Sequence, residues 1–92
     1  MAVIAWTDRA IVQLQHIVAY ISSYDDAAAA RMARRLMEAA DGLKNFPNRG
    51  RLAGDGYREL PTIRPYVILY HVAGDVVSIL DIRHGAQSPG DR

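Results

Sequence analysis

Apolar residues follow two rhythms along this chain, helical in its first half and strand-like in its second. Over residues 8–23, Ile11, Leu14, Ile17 with Val18, and Ile21 recur at helical spacing, which predicts an amphipathic helix. Ahead of it, Val3–Trp6 is a short apolar run closed by Thr7-Asp8 and reads as a first strand. Thr7 offers an N-cap hydroxyl, and Asp8 places a negative charge at the positive end of the helix dipole. The stripe breaks at Ser22-Ser23-Tyr24-Asp25-Asp26, where Asp25 or Asp26 can cap a second helix. That helix carries Ala27-Ala28-Ala29-Ala30, then Met32, Leu36, Ala40 and Leu43, and Phe46-Pro47 ends it. Proline disfavours the helical conformation in the residue before it. Two helices joined by so few residues pack as an antiparallel hairpin.

Residues 48–56 hold Gly50, Gly54 and Gly56 and read as an irregular connection. Tyr57–Leu60 makes a short strand stopped by Pro61. The run Tyr66-Val67-Ile68-Leu69-Tyr70-His71-Val72 is β-branched, aromatic and almost continuously apolar, so it reads as a central strand with at least one face in the core. Gly74-Asp75 is a two-residue hairpin turn, glycine supplying the positive φ. Residues 76–83 return with Val76, Ser78, Leu80 and Ile82 on one face and Val77, Ile79, Asp81 and Arg83 on the other. The stretch 85–92, with two glycines and a proline, reads as a loose tail. The expected architecture is α+β: an N-terminal strand, then an antiparallel two-helix hairpin packed on a mainly antiparallel sheet that three C-terminal strands complete.

Composition adds exclusions. At 92 residues the chain is the size of one domain. It has no cysteine, which removes a disulfide framework, a thiolate zinc site and a cysteine nucleophile, and it fits a reducing cytoplasm. No apolar run approaches the ~20 residues of a membrane span. The formal charge is only +1, but it is unevenly spread. Residues 31–64 hold eight basic side chains against four acidic ones, a local balance of 8 − 4 = +4. All the basic residues except Lys44 are arginines, which favours planar, bidentate contact with carboxylate or phosphate. A solvated helix face plus a polar loop explains the same excess.

Most catalytic templates are missing. There is no glycine-rich phosphate loop, no His-Glu-x-x-His and no Gly-x-Ser-x-Gly elbow. His16, His71 and His84 have no ligand spacing, so neither a metal site nor a cofactor is expected. His84, after Arg83 at the end of the last strand, has two readings: a general acid or base beside an arginine, or an imidazole bonded to its neighbours. His71 reads as a satisfied sheet histidine and His16 as solvated. Tyr57, Tyr66 and Tyr70 alternate with Arg58 and Arg64, a mixture that suits RNA stacking and equally suits tyrosine packing in strands.

Several segments together carry a resemblance. They are Leu43-Lys44-Asn45-Phe46-Pro47-Asn48-Arg49-Gly50-Arg51, then Tyr57-Arg58-Glu59-Leu60-Pro61, the tyrosine-rich hairpin with Gly-Asp at its turn, and the closing Arg83-His84-Gly85-Ala86. In this order, over nearly the whole chain, they resemble the RelE/ParE superfamily of type II toxin–antitoxin toxins, which includes plasmid stabilisation proteins. The resemblance implies the fold derived above and two alternative activities. RelE-like toxins are ribosome-dependent mRNA endonucleases with arginines and lysines over the sheet. ParE-like toxins poison DNA gyrase and need no nuclease site.

Two RelE-like arginine positions correspond here to Val67 and Ala86, and no tyrosine follows Gly85. Other nucleases of the superfamily pair an arginine with a late histidine, which Arg64 or Arg83 with His84 would mimic. Cleaving RNA through its 2′-hydroxyl needs a base, an acid and charge stabilisation of the phosphate. This chain offers at most one such acid or base, and its single lysine, Lys44, falls on the far side of the domain. The sequence therefore points to a non-enzymatic ParE-like gyrase inhibitor contacting its target through Arg83 and His84, with a ribosome-dependent nuclease as the alternative. The resemblance also implies a cognate ParD-like antitoxin in a higher-order hetero-oligomer. An acidic antitoxin segment that folds on binding would meet Arg31, Arg34 or Arg35.

Overall fold

A computed structural model describes residues 2–61 and 63–85. The chain runs β1 (Val3–Trp6), α1 (Asp8–Ser22), α2 (Asp26–Asp41), a 3-10 turn (Gly42–Lys44), β2 (Arg51–Leu52), β3 (Tyr57–Leu60), β4 (Tyr66–Ala73) and β5 (Val76–His84). Five strands form one sheet in the order β1-β5-β4-β3-β2. All its ladders are antiparallel except β1 on β5, which is parallel. The helical hairpin covers one face, with α1 over β5. This is the expected α+β plan, with the parallel pair placing the first strand beside the last, at one edge of the sheet.

Both helices start where local chemistry places them. The Thr7 hydroxyl accepts the Ala10 N–H at 3.2 Å and itself donates to the Ile79 carbonyl at 2.8 Å, so one cap also ties α1 to β5. The Asp25 carboxylate accepts the Ala28 N–H at 3.0 Å. The buried stripe of α1 is Ala10, Ile17 and Ile21, with Leu14 partly buried. Ile11, expected in that stripe, is instead 40% exposed at its edge, since one residue past the buried Ala10 is about 100° round the helix. α2 contributes Ala29, Leu36 and Ala40, and Leu43 follows from the 3-10 turn. The connection over 48–56 holds one more short strand, β2, paired through Arg51↔Glu59 and Leu52↔Arg58.

Tyr70 closes the end of this core. It is fully buried, and its hydroxyl donates to the Pro47 carbonyl at 2.8 Å while accepting the Gly50 N–H at 2.8 Å. Gly50 is required there, since a Cβ would stand 2.6 Å from the Glu59 carbonyl oxygen and 2.8 Å from the Tyr70 ring.

The strict alternation expected for residues 76–83 does not hold. Between β4 and β5 the register runs Tyr70↔Ile79 and then Leu69↔Asp81, so Leu80 is an extra residue, a β-bulge. The bulge reverses the faces beyond it. Val77, Ile79 and Ile82 all join the main core, whereas alternation put Ile82 opposite the other two.

Candidate functional site

Pairing register assigns each strand residue a face. Ile68, Tyr70 and their β5 partners Ile82 and Ile79 lie toward the helices. The opposite, open face carries a row across the sheet: Arg51, Glu59, Leu69 and Asp81 are successive partners. Leu69 is 5% exposed and lies outside the main core cluster. It sits between two ion-pair groups. On one side the Arg51 guanidinium meets Glu59 at 3.2 Å. On the other, Asp81 Oδ2 accepts from Arg9 Nε at 3.2 Å and from Arg83 Nε at 3.3 Å. Asp81 Oδ1 accepts the Ile82 N–H at 2.9 Å. At 4% exposure, Asp81 is the one buried charged residue among the described residues, and these partners satisfy it.

Strand alternation separates two residues that the sequence sets side by side, and the bulge at Leu80 decides which face each takes. Arg83 is paired with Val67 and turned to the open face beside Asp81. His84 is paired with Tyr66 toward the helices, ring edge to ring face at 5.8 Å and 82°. Arg64 lies in the exposed turn before β4, whose Tyr66 N–H is bonded back to the Ile63 carbonyl at 2.8 Å. Arg83 and His84 thus serve different surfaces. Val67, one of the RelE-like arginine positions, lies on the open face next to Arg83; Ala86, the other, lies outside the described residues, as does most of the 85–92 tail.

His84 lines a shallow groove of about 580 Å³ with Tyr66 from the sheet and His16, Tyr20 and Tyr24 from the helical hairpin. Tyr20 and Tyr24 meet edge to face at 5.6 Å and are both well exposed. Burial pushes the Tyr66 phenol above its ordinary pKa, and the nearby Tyr20 adds to the rise. Arg31, Arg34 and Arg35 form an exposed stripe on α2 opposite its core face. Arg34 also borders a second groove, of about 780 Å³, with Trp6 and Val3 of β1 and Met37 of α2. Lys44 is bound to Asp41 at 2.9 Å on this helical side, away from the open face. Among the described residues no three His, Asp or Glu side chains come together as a metal site, and no helix is long and apolar enough to cross a membrane.

Sequence reading missed Arg9 and Asp81 as a site. A signal was present: an aspartate inside Ile79-Leu80-Asp81-Ile82 must find a cation if it is buried. Which cation it finds depends on the fold.

Comparison with known proteins bears on these surfaces. The family model described as "ParE toxin of type II toxin-antitoxin system, parDE" matches residues 4–89. The chain is 49% identical over 87 residues to "Toxin RelE2" of Caulobacter vibrioides, covering 95% of this chain and 99% of that one. It is 41% identical over 86 residues to "Putative toxin Y4kP" of Sinorhizobium fredii, covering 91% and 88%. Among solved structures, one titled "Chromosomal ParDE TA system from P. aeruginosa" superposes with a TM-score of 0.83 at 25% identity, covering 91% of this chain and 96% of that one.

Proposed function

The chain belongs to the ParE toxin family of type II toxin–antitoxin systems, and from that membership we propose that it inhibits DNA gyrase by binding, without a catalytic step. The observation that carries this reading is the opposite facing of Arg83 and His84. A nuclease needs its acid or base and its phosphate-holding arginine around one scissile bond. Here the arginine stands on the open face with Asp81, and the histidine meets Tyr66 edge to face on the other side. Val67 on the open face has no charge to offer a phosphate. Contact through the end of β5, with Arg83 on one side and His84 on the other, suits a binding inhibitor.

The partner that restrains it is a cognate ParD-like antitoxin, in keeping with the likeness to a ParDE system. Its acidic segment lies along α2, where Arg31, Arg34 and Arg35 stand exposed, and its apolar side chains fill the groove between β1 and α2. The complex is a higher-order hetero-oligomer. The names of two Caulobacter relatives, RelE2 and RelE1, favour a second reading, a ribosome-dependent mRNA endonuclease in which Arg64, Arg83 and His84 would act on the RNA.

Purified toxin added to a gyrase supercoiling reaction, and separately to ribosomes translating a defined mRNA, decides between the two. Gyrase inhibition with intact mRNA is the expected result. Codon-positioned cuts with gyrase unaffected overturn it.

A further inference from the structure

The Arg9–Asp81–Arg83 cluster does more than a buried aspartate needs. One guanidinium neutralises one carboxylate; two leave a net positive charge at the site. Arg9 stands in the first turn of α1, where a cation opposes the helix dipole, so helix stability does not explain its position. Both arginines engage Asp81 Oδ2 through Nε. Among the described residues no other acceptor takes their Nη groups, which leaves donors on two adjacent guanidiniums for an incoming anion. The Arg9 side chain is 69% exposed and that of Arg83 34%, over a carboxylate at 5%. The carboxylate is thus a fixed post, and the guanidiniums face solvent.

We propose that Arg9, Asp81 and Arg83 form a receptor for an acidic side chain of the toxin's protein target. Arg9 and Arg83 take the incoming carboxylate, and Asp81 is the positioning residue that holds both guanidiniums. The proposal rests on the reading of the end of β5 as a target contact. The rest of the open face selects a protein carboxylate over a nucleic-acid backbone. Glu59 and Asp81 interrupt the line of Arg51, Arg83 and Arg9, where a polyphosphate tract would require an unbroken basic stripe. Leu69, buried between the two ion-pair groups, supplies the water-excluding neighbour that makes a charged contact count at an interface.

Arg83→Gln is the deciding variant, because the Arg9–Asp81 pair survives and the fold with it. It should retain its melting temperature and antitoxin affinity, while growth arrest on induction and inhibition of gyrase supercoiling each weaken at least about tenfold. Asp81→Asn should move the same two readouts in the same direction, with Arg83→Gln alone deciding if Asp81→Asn fails to fold. Growth arrest lost in Arg83→Gln, with gyrase untouched and mRNA left intact by the wild type, keeps the receptor and discards the gyrase reading; codon-positioned mRNA cuts that vanish with Arg83 overturn the proposal. Wild-type potency of Arg83→Gln in growth arrest overturns the proposal. So does tight, steeply salt-dependent binding of a single-stranded RNA oligomer that Arg83→Gln abolishes.

Discussion

Replacing Tyr70 by phenylalanine removes one oxygen atom and strips two backbone groups of their partner. The hydroxyl accepts from the Gly50 N–H and donates to the Pro47 carbonyl, each at 2.8 Å. Both belong to the segment that carries the chain from the helical layer to β2. Gly50 is buried, and water cannot reach its amide while the Tyr70 ring and the Glu59 carbonyl crowd it. A buried donor left unsatisfied costs about 1–3 kcal/mol, and the second hydrogen bond adds about 0.5–1.5 kcal/mol. The expected loss is therefore about 2–4 kcal/mol. With about 4–8 °C of melting temperature per kcal/mol for a domain of this size, the midpoint should fall by roughly 10–30 °C. Urea denaturation at 25 °C measures the energy, and amide exchange locates it. Gly50 should exchange much faster in the variant, while amides in the middle of β4 keep the order they have in the wild type. A loss below about 0.5 kcal/mol, or an unchanged Gly50 exchange rate, would refute the reasoning by showing that water or a shifted backbone replaces the hydroxyl.

The other expectations are shorter. Asp25→Ala removes the α2 cap and should cost about 1 kcal/mol in urea denaturation, whereas Asp26→Ala should cost less, since Asp25 is the residue that accepts the Ala28 N–H. Deleting Leu80 removes the bulge but leaves Ile79, Asp81 and Ile82 opposite Tyr70, Leu69 and Ile68 in regular alternation. Ile82 then stays in the core and Asp81 on the open face, and the cooperative melt seen by circular dichroism should be retained. Reversing Arg31, Arg34 and Arg35 to glutamate should weaken antitoxin binding at least about a hundredfold by calorimetry without lowering the melting temperature, as all three are exposed. The Tyr66 phenol has its pKa raised by burial, so the folded state favours its protonated form. The stability this contributes is present below the unfolded pKa of about 10 and is lost as pH rises through the folded value. Ultraviolet titration should show one fewer late-ionising tyrosine in Tyr66→Phe.

What was legible in the sequence was local. Thr7 and an aspartate at 25 or 26 announce caps because capping needs only a side chain and the amides a turn ahead. Gly74-Asp75 announces a turn because few residues accept its φ of 61°. The two-layer plan follows from a helical rhythm giving way to a strand rhythm. What failed depended on partners distant in the chain. The bulge at Leu80 belongs to the register of β4 against β5, and Val76 to Arg83 alternate well enough in sequence to hide it. Ile11 outranks Ala10 in hydrophobicity, yet the docked helix turns Ala10 to the sheet and leaves Ile11 at the edge. The same limit hid the Arg9–Asp81 pair, whose members meet across the whole helical hairpin; the opposite facing of Arg83 and His84, by contrast, is ordinary strand alternation.

The parallel pairing of β1 with β5 has a consequence for how the toxin comes into being. Thr7, at the end of β1, donates to the carbonyl of Leu80, 73 residues further on. At a synthesis rate of about 5–20 residues per second, β1 waits roughly 4–15 s for the strand that completes it. During that interval the sheet lacks the strand that joins its first and middle parts, and the helical hairpin has no floor to bury its apolar stripe. A nascent or truncated chain is therefore an unfolded polypeptide and not a weak poison. Harm arrives in one step, with the last strand, and an antitoxin already present in the cell meets each toxin molecule no earlier than the moment it becomes dangerous.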